Sequence, residues 1–553
     1  LYFDRVNGFM GLALWAWLLP VHSCPPVTIS AFVSLWFLKD LTMSHVMMPI
    51  DNFFRSAARW PDRIAVEIND GADQRKITYG DLAYSVNALA NALQTIDPAP
   101  QSCVGICAYN SFEHLLGWLA TYAAGKIWVP LNPRNGRDEL DRIIDLTAPS
   151  IVIFDADCGE KFGAVTGHLL AGKNGETAVR ANSHMAALLA ANAGKMPRRH
   201  LADSDDLQAI KFTGGSSGVP KGVMQSYRVF NSCIASMIAA FGFDAKDRHL
   251  LAAPMTHGAN TMILPIFAVG GTQLFMGQPS PAAILDAIET MQATTIFVPP
   301  TLCYMMLEDD RINDIDLSSL RHFIIGGATI RPDVVARAMP IFNHAMETCF
   351  GQTEVPQIAI CMRSKDWQDP ANHASTGRAT CMTDIGIMDA NGTLLPAGEE
   401  GELVLAGDLV MKGYYKMPEK TSETIIDGWL HTGDIGYIDD RGFVFIKDRI
   451  RDVVVTGGFN VYPNDVEAVL GQHPDVVECV VFGLADDKWG EAVHAAVELS
   501  KQASIDEAGL IAFVKSRLDS VKAPKRIYIT DALPRSPVGK VLRREAKLVF
   551  ADY

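Results

Sequence analysis

The sequence predicts an α/β protein: a large N-terminal domain of two α/β sheet layers plus a β-rich subdomain, followed by a small α+β C-terminal domain. Short apolar runs alternate with helical segments on both sides of Phe212, a pattern typical of parallel sheets covered by helices. Beyond Gly377, strand-like segments follow one another through tight turns, and beyond Arg449, strands mix with a helix. We therefore expect an N-terminal domain at 43–449 and a C-terminal domain at 450–553.

The first α/β layer is predicted to contain a helix beginning at Thr78. Thr78 and Asp81 have the spacing of a helix start, and the apolar residues that follow recur at helical spacing on one face. These apolar residues are Leu82, Val86, Leu89, Ala90 and Leu93. Further helical segments separate three short apolar runs, which predict parallel strands at 103–108, 127–131 and 151–154.

The same patterns predict the elements of the second layer, of the β-rich part and of the C-terminal part. Four buried strands are predicted, separated by helices, at 250–253, 272–275, 295–298 and 323–325. The β-rich part includes a strand at 401–407 and a hairpin at 435–448 that turns around Asp440, Arg441 and Gly442. The C-terminal part is predicted to have strands at 476–482 and 493–499 and a helix at 507–518.

Composition limits the class of protein. With 553 residues, of which 48% are hydrophobic and 20% charged, the chain is long enough for more than one domain with a buried core. A formal net charge of -15 argues against a nucleic-acid partner, because phosphate backbones are bound by surplus lysine and arginine. Ten cysteines are scattered without a CxxC pair, which favours free thiols in a cytoplasmic protein over disulfides or a zinc site.

Residues 1–42 are predicted to be a non-native or upstream extension. They contain two apolar runs, at 9–19 and 27–38, and each run is shorter than the roughly 18 to 20 residues needed to cross a bilayer. Pro20, Pro25 and Pro26 separate the two runs, and the positive flank is weak. A signal peptide or a membrane anchor is the alternative interpretation of this segment. Otherwise no stable membrane insertion is expected.

The stretch FTGGSSGVPKGV, at 212–223, has the composition of a phosphate-binding loop. It places four glycines, three hydroxyl residues and one lysine close together, so backbone amides, hydroxyls and an ammonium can surround an anion. The pattern differs from the Walker form, because Pro220 precedes Lys221 and Gly222 follows it. A flexible Gly/Ser linker is the alternative, and the apolar segments on both sides argue against it.

Five motifs occur in order between Phe212 and Lys540. They are FTGGSSGVPKGV, FGQTE at 350–354, GWLHTGDIG from Gly428, DRIRDVVVTGGFNVYP from Asp448, and PRSPVGK ending at Lys540. Together they resemble the motifs of adenylate-forming enzymes, and the chain looks like an AMP-forming acyl-CoA synthetase of that superfamily, to which peptide-synthetase adenylation domains and luciferases also belong. The resemblance covers nearly all of 50–553. It implies that ATP, Mg²⁺ and coenzyme A are used to convert a carboxylic acid into an acyl-adenylate and then into acyl-CoA.

The resemblance assigns roles around the nucleotide. The loop and Lys221 suit the β and γ phosphates, Thr353 lies next to the α-phosphate, and Glu354 holds Mg²⁺. Gly326–Ala328 and Phe350 are assigned to the adenine, and Asp434 and Arg449 to the ribose hydroxyls. The complete nucleotide-binding set is Thr213, Gly214, Gly215, Ser216, Ser217, Gly218, Lys221, Gly326, Gly327, Ala328, Phe350, Gly351, Gln352, Thr353, Asp434, Arg449 and Lys540. Two of these nucleotide-binding positions depart from the family, which usually has a tyrosine at Phe350 and a serine at Gly214, and outside this set Thr256 replaces a usual aromatic residue.

The resemblance also assigns the catalytic and mobile parts. Lys540 bridges the substrate carboxylate and the α-phosphate, which offsets the repulsion between two anions. Thr353 and His257 complete the catalytic set, with His257 at the mouth of the acyl pocket, where a packed core histidine is the alternative. A mobile C-terminal domain would rotate about Arg451 between two half-reactions. The passage for coenzyme A would then be lined by Gly457, Gly458 and Phe459.

Three functions remain open from the sequence. The first is a carboxylate-CoA ligase; the second is an adenylating enzyme that passes its acyl group to a carrier protein or oxidises it, as luciferases do. The third is a nucleotide-binding relative without catalysis, which the complete set of motifs argues against. The acid is not specified, although the pocket is expected near His257, Asn260, Thr301, Leu302, Gly327 and Val355. A homodimer is compatible with this interpretation.

Overall fold

The computed structural model describes residues 46–71, 73–162, 167–172, 182–213, 220–500, 503–536 and 540–551. Its helices are α1 (Asp51–Arg59), α2 (Tyr79–Ile96), α3 (Phe112–Ala123), α4 (Arg137–Thr147), α5 (Met185–Ala191), α6 (Tyr227–Phe241), α7 (Asn260–Ala268), α8 (Pro281–Met291), α9 (Pro300–Leu307), α10 (Pro332–Ile341), α11 (Ser364–Trp367), α12 (Pro418–Thr424), α13 (Pro463–Leu470), α14 (Glu507–Arg517) and α15 (Arg543–Phe550). The extension predicted at 1–42 lies outside the described residues.

The strands of the first half are β1 (Ile64–Asp70), β2 (Asp73–Thr78), β3 (Cys103–Cys107), β4 (Ile127–Pro130), β5 (Ile151–Phe154), β6 (His168–Ala171), β7 (Ser183–His184), β8 (Leu207–Thr213), β9 (Lys221–Ser226), β10 (Arg248–Leu250), β11 (Thr272–Met276), β12 (Thr295–Val298) and β13 (His322–Ile325). Those of the second half are β14 (Met346–Phe350), β15 (Ile360–Met362), β16 (Arg378–Ala379), β17 (Asp384–Met388), β18 (Gly401–Ala406), β19 (Gly413–Tyr414), β20 (Ile425–Ile426), β21 (Trp429–Ile438), β22 (Val444–Arg449), β23 (Val454–Thr456), β24 (Phe459–Val461), β25 (Val476–Asp486), β26 (Gly490–Leu499) and β27 (Arg526–Thr530).

The first layer is a mostly parallel sheet in the order β19-β9-β8-β4-β3-β5-β6-β7. It contains the three strands predicted from apolar runs, which pair in parallel around β3. The predicted helix start is also confirmed, because Thr78 Oγ1 accepts a hydrogen bond from the Asp81 backbone N–H at 3.1 Å and all five apolar residues of its face are buried. Strands β8 and β9 pair antiparallel, so the two ends of the phosphate-loop sequence face each other.

The second layer is a sheet in the order β16-β15-β14-β13-β12-β10-β11-β1-β2, parallel in its centre and antiparallel at both edges. Its helical cover buries an apolar cluster in which the rings of Phe323 and Phe342 stack with centroids 4.0 Å apart. The strand predicted at 250–253 is wrong in position, because the observed β10 ends at Leu250.

The position of β10 follows from how its polar residues are satisfied. Arg248 forms an ion pair with Glu67 at 2.9 Å, and the buried His249 ring bonds to Gln273 at 2.8 Å. The apolar residues after Leu250 lie in a buried loop, where the side chain of Asn110 donates to the carbonyls of Leu251 and Ala253 at 3.1 and 2.8 Å. In this loop, hydrogen bonds from a side chain take the place of hydrogen bonds between strands. Hydrophobicity alone therefore places the predicted strand too far toward the C-terminus.

Two smaller sheets follow, as the sequence predicts. One runs β17-β18-β21-β20, with β22 paired to β21, and its β21–β22 hairpin turns through 439–443. The other runs β24-β23-β26-β25, with β27 paired to β26, and packs against α13, α14 and α15. The architecture is therefore the expected α/β fold with a large N-terminal part and a small α+β C-terminal part. The domain limits at 449 and 450 stay a prediction.

An ion cluster joins the end of β22 to the C-terminal part. Arg543, at the start of α15, donates to Asp448 at 3.1 Å, to Asp452 at 3.0 Å and to Glu467 at 2.9 Å. Asp448 is buried and also accepts the backbone N–H of Asn464 at 2.9 Å. Burial alone would lower the pKa of Arg543, but the surrounding carboxylates raise it well above its usual value.

Among the described residues, no helix is long and apolar enough to cross a membrane.

Candidate active site

The ends of the phosphate-loop sequence are held by antiparallel pairing. Thr213 ends β8 and Lys221 begins β9, and the two residues are register partners. The predicted phosphate-binding residues Gly214, Gly215, Ser216, Ser217 and Gly218 lie outside the described residues. The ammonium of Lys221 lies 5.2 Å from the centroid of the Tyr414 ring, so Tyr414 lies beside this loop.

Tyr414 also positions the predicted metal ligand. Its hydroxyl donates to Glu354 Oε1 at 2.7 Å, and β19 brings Tyr414 to this place by pairing with β9. Burial and the carboxylate of Glu354 raise the pKa of Tyr414 well above its usual value, which keeps the phenol protonated as a donor. Nothing in the sequence indicates the role of Tyr414, because that role depends on a contact across 60 positions of the chain.

The residues present fit a magnesium ion. Mg²⁺ usually takes one or two protein carboxylates together with phosphate oxygens and waters, and Glu354 offers one oriented carboxylate beside the phosphate-loop ends. Within the described ranges, no three acidic, histidine or cysteine side chains gather into a metal site of their own.

The turn that carries Thr353 is fixed by backbone contacts. Phe350 ends β14 and is half-buried, and a side chain at Gly351 would collide with the backbone, because a Cβ atom there would lie 2.4 Å from the Gln357 nitrogen. The backbone of Gln352 and Val355 exchanges hydrogen bonds at 3.0 and 3.2 Å. The carbonyl of Thr353 accepts Gln225 Nε2 at 2.8 Å, which fixes the turn to β9.

Asp434 and Arg449 lie opposite each other on the β21–β22 hairpin. Arg449 Nε lies 3.2 Å from Asp434 Oδ1, and Gln352 Nε2 donates to Asp434 Oδ2 at 2.8 Å. Burial raises the pKa of Asp434, while Arg449 and Gln352 oppose that shift. The structure therefore brings two predicted ribose residues together with the FGQTE segment.

Gly326 and Gly327, which directly follow β13, border this site. Gly327 has a φ of +90°, a conformation that favours glycine, and a Cβ atom at Gly326 would lie 2.8 Å from the Phe297 ring. Ala328 follows in the same loop and is exposed. The close packing under Gly326 leaves the backbone of this segment as the surface available to a ligand.

Lys540 reaches this wall from the C-terminal part. Its Nζ donates to the carbonyl of Gly327 at 3.3 Å, and its backbone is held by Ser536, whose Oγ accepts the Lys540 N–H at 3.1 Å. Surrounding protein atoms and the charge of Arg449 lower the pKa of Lys540, while Asp434 opposes them. The structure thus places Lys540 with the predicted nucleotide residues of the N-terminal part.

His257, which is predicted to lie at the mouth of the acyl pocket, is in the loop between β10 and α7. Its Nδ1 pairs with Thr256 Oγ1 at 2.9 Å, and the side chain keeps solvent-exposed surface. Protein atoms crowded around the ring and the charge of Lys211 lower its pKa to about 4. His257 is therefore neutral at physiological pH and suited to orient a group more than to accept a proton.

A small cavity of about 10 Å³ is lined by residues of α6 and α7. Of the predicted pocket residues, Asn260 lines it, whereas His257, Thr301, Leu302, Gly327 and Val355 do not. The remaining walls come from residues that the sequence analysis did not name: Gln225, Phe230, Cys233, Ile234, Thr261, Leu264 and Pro356.

The predicted coenzyme A residues lie where β23 turns into β24, in the C-terminal part. Gly457 and Gly458 have φ values of +58° and +83° and form the turn between β23 and β24, with the Gly457 N–H donating to the Trp489 carbonyl at 2.8 Å. Phe459 is exposed at 62%. Arg451 lies in the short turn between β22 and β23, where a hinge is predicted.

The sequence and the structure are similar to known proteins. The "AMP-binding enzyme" family pattern matches residues 53–415, and the "AMP-binding enzyme C-terminal domain" pattern matches 465–540. The chain is 31% identical over 495 residues to a medium/long-chain-fatty-acid–CoA ligase, FadD8, of Mycobacterium tuberculosis, covering 86% of each chain. It is 32% identical over 478 residues to a feruloyl-CoA synthase of an Amycolatopsis species, covering 86% of this chain and 94% of the relative.

The fold matches solved structures closely. ATP-bound MatB from Rhodopseudomonas palustris superimposes with a TM-score of 0.82 and 29% identity, over 92% of this chain and 99% of MatB. That similarity covers both the N-terminal and the C-terminal parts.

Proposed function

Because the chain belongs to the AMP-binding enzyme family, we propose that the site around Lys540 activates a carboxylic acid with ATP and then transfers the acyl group to coenzyme A. The products are acyl-CoA, AMP and pyrophosphate. The observation that carries the proposal is the position of Lys540, whose ammonium lies at the Gly327 carbonyl beside the Asp434–Arg449 pair. A cation there faces the place where two anionic reactants must meet.

In the first half-reaction, a carboxylate oxygen of the acid attacks the α-phosphorus of ATP, and the bond to the pyrophosphate oxygen breaks. Lys540 holds the carboxylate and the α-phosphate together, while Thr353 is presented to the same phosphate by its anchored turn. Lys221 and Thr213 hold the leaving phosphates. When bound at Glu354, Mg²⁺ supplies positive charge to those phosphates.

The nucleoside is held by the remaining predicted residues. The carboxylate of Asp434, oriented by Arg449 and Gln352, accepts hydrogen bonds from the ribose hydroxyls. Phe350 presents an aromatic face to the adenine, and the backbone of Gly326–Ala328 borders it. Asp434 is preorganised by these contacts within the protein, so little reorganisation of its carboxylate accompanies binding.

In the second half-reaction, the thiol of coenzyme A attacks the acyl carbonyl, AMP leaves, and the thiol proton is released. The C-terminal part would rotate about Arg451, which removes Lys540 and brings Gly457, Gly458 and Phe459 to the site. The exposed turn at Gly457 and Gly458 has no side chains to obstruct the pantetheine arm.

The experiment that tests this function is a screen of fatty and aryl carboxylic acids with ATP, Mg²⁺ and coenzyme A. We expect AMP and an acyl-CoA from at least one acid. Release of ADP and phosphate alone would contradict the proposal. Acyl-adenylate without acylated coenzyme A would instead favour a carrier protein or oxidation as the second step.

Replacing Glu354 with glutamine is expected to weaken both half-reactions. The substitution keeps the shape but removes the negative charge that holds the metal, so ATP–pyrophosphate exchange should need more Mg²⁺ and run more slowly. Tyr414→Phe is the matched control, because it removes the 2.7 Å hydrogen bond to Glu354 but keeps the carboxylate, and its loss of exchange rate should be the smaller. An unchanged rate of ATP–pyrophosphate exchange in Glu354→Gln would show that Glu354 does not hold the metal.

We place the protein in a reducing compartment, consistent with the cytoplasm. No disulfide joins the cysteines in the described part of the chain, and eight of these cysteines have fully or partly buried side chains. This arrangement suits a protein that does not depend on disulfides for stability.

A further inference from the structure

Arg331, directly before α10, extends its side chain to the C-terminal part of the chain. Its backbone N–H donates to the Tyr304 hydroxyl at 3.2 Å, and its guanidinium lies 5.1 Å from the centroid of the same ring. Only 17% of the Arg331 side chain is exposed. Tyr304, on α9, therefore fixes the arginine from one side, and both residues belong to the N-terminal part.

The Arg331 side chain also rests on Gly471, which directly follows α13 in the C-terminal part. A Cβ atom at Gly471 would lie 2.2 Å from Arg331 Nη1, 2.6 Å from Cζ and 2.7 Å from Cδ. Because this Cβ atom would meet the stem of the arginine as well as its tip, a rotation of the guanidinium alone makes no room. The contact between the two parts therefore leaves no space for a methyl group.

The backbone gives no reason for a glycine at position 471. Glycine commonly follows a helix because it accepts a positive φ, but Gly471 has a φ of -66° and a ψ of -14°, which any residue adopts. Glycine also loses more conformational entropy on folding than alanine does. The feature of the structure that requires a glycine here is the close approach of Arg331.

The contact is tight but not strongly bonded. Arg331 Nε and Nη1 are buried and have no hydrogen-bond partner in the described part of the chain, and the Asp333 carboxylate lies 3.6 Å from Nε. Burial raises the pKa of Glu478, on β25, while the Cys479 backbone N–H and the charge of Arg331 oppose that shift. Packing and a nearby opposite charge hold this contact, which suits surfaces that must separate again.

The loop between β13 and α10 meets the C-terminal part at two points. Gly327 accepts Lys540 Nζ at 3.3 Å, and Arg331, four residues further along the loop, rests on Gly471. Since both points lie on one short loop, a wider spacing at Gly471 tilts the C-terminal part at Lys540. The thickness of the Arg331–Gly471 contact therefore determines where the Lys540 ammonium lies.

We propose that Arg331 is a positioning residue for adenylation: its side chain is the stop on which Gly471 comes to rest, so that Lys540 is held at the nucleotide residues. This inference rests on the proposed function and on the predicted rotation about Arg451. In the second half-reaction the C-terminal part has turned, and Arg331 and Gly471 are apart. The contact therefore serves adenylation alone.

The test is Gly471→Ala, measured in each half-reaction separately with an acid that the screen identifies. The added methyl group should displace Lys540 and slow ATP–pyrophosphate exchange by about 10-fold, within the range for overfilling a packed contact. The KM for ATP should change little, because Asp434 and Arg449 stay in place. Thioester formation from synthetic acyl-AMP and coenzyme A should stay near the wild-type rate.

A double variant and a matched control assign the effect to this contact. In an Arg331→Ala background the guanidinium is gone, so Gly471→Ala should cost no more than about 2-fold in exchange rate. Gly509→Ala is the control, because a Cβ atom there would lie 2.4 Å from Ile505 Cδ1, inside the C-terminal part. It should change both half-reactions by the same factor.

Two results would overturn the inference. One is an equal loss in both half-reactions with Gly471→Ala, and the other is an undiminished loss in the Arg331→Ala background. Arg331→Ala alone removes the stop, so it should also slow exchange more than thioester formation. If Gly471→Ala does not fold, this comparison in Arg331→Ala decides the matter.

The outcomes also distinguish this inference from the proposed function. AMP and acyl-CoA formation with equal losses in the two half-reactions leaves the function standing and refutes the role of Arg331. No AMP from any acid refutes the function, and with it the role of Arg331.

Discussion

Replacing Lys540 with alanine is expected to slow adenylation by about 100- to 1,000-fold, the usual cost of losing one preorganised electrostatic donor. The ammonium that lies 3.3 Å from the Gly327 carbonyl would no longer offset repulsion between the substrate carboxylate and the α-phosphate. The rate of ATP–pyrophosphate exchange with a saturating acid measures this loss. Nucleotide affinity should change less, because Asp434 and Arg449 remain in place.

The second half-reaction supplies the internal control for Lys540→Ala. When synthetic acyl-AMP and coenzyme A are provided, the variant should form the thioester at nearly the wild-type rate. In that step the predicted rotation about Arg451 has moved position 540 away from the site. Equal losses in the two assays would refute the role of Lys540 and weaken the assignment of two faces to the C-terminal part.

Replacing Arg543 with methionine is expected to destabilise the C-terminal part by up to about 3 to 5 kcal/mol, the range found when one partner of a buried ion pair is removed. Arg543 is the cation shared by Asp448, Asp452 and Glu467, at 3.1, 3.0 and 2.9 Å, and Asp448 would be left buried without it. Adenylation should fall as well, because Lys540 lies on the same segment. Urea unfolding followed by circular dichroism measures the change in stability.

Lys547 provides the matched control on α15. It pairs with Glu491 at 3.5 Å, and 47% of its side chain is exposed. Lys547→Met should therefore change the free energy of unfolding by no more than about 1 kcal/mol. If Arg543→Met and Lys547→Met unfold at the same urea concentration, the cluster does not hold the C-terminal part in place.

Much of the fold follows from local patterns. The Thr78 cap, the three parallel strands of the first layer and the β21–β22 turn depend on residues close in sequence, and all of them are found. The strand expected at 250–253 fails because Arg248 and His249 are polar yet belong to a buried strand. Arg248 pairs with Glu67 and the His249 ring bonds to Gln273, and sequence periodicity does not register these contacts.

The candidate site, like the fold, is only partly predictable from the sequence. Motif order predicts the residues that contact ligands, and the structure brings Lys540, Gly327, Asp434, Arg449 and Gln352 together. The supporting residues are absent from the prediction. Tyr414 meets Glu354 across 60 positions, and Arg543 meets Asp448 across 95. Nothing in either local sequence indicates these contacts, because they arise only when sheets and helices pack.

The most direct test of the central claim follows one oxygen atom. An acid labelled with a heavy isotope of oxygen in its carboxylate is incubated with ATP, Mg²⁺ and coenzyme A, and the products are examined by mass spectrometry. If the carboxylate attacks the α-phosphorus, thiol attack on the acyl-adenylate leaves one labelled oxygen in the phosphate of AMP, and pyrophosphate stays unlabelled. Label in inorganic phosphate, or AMP without label, would contradict an acyl-adenylate intermediate.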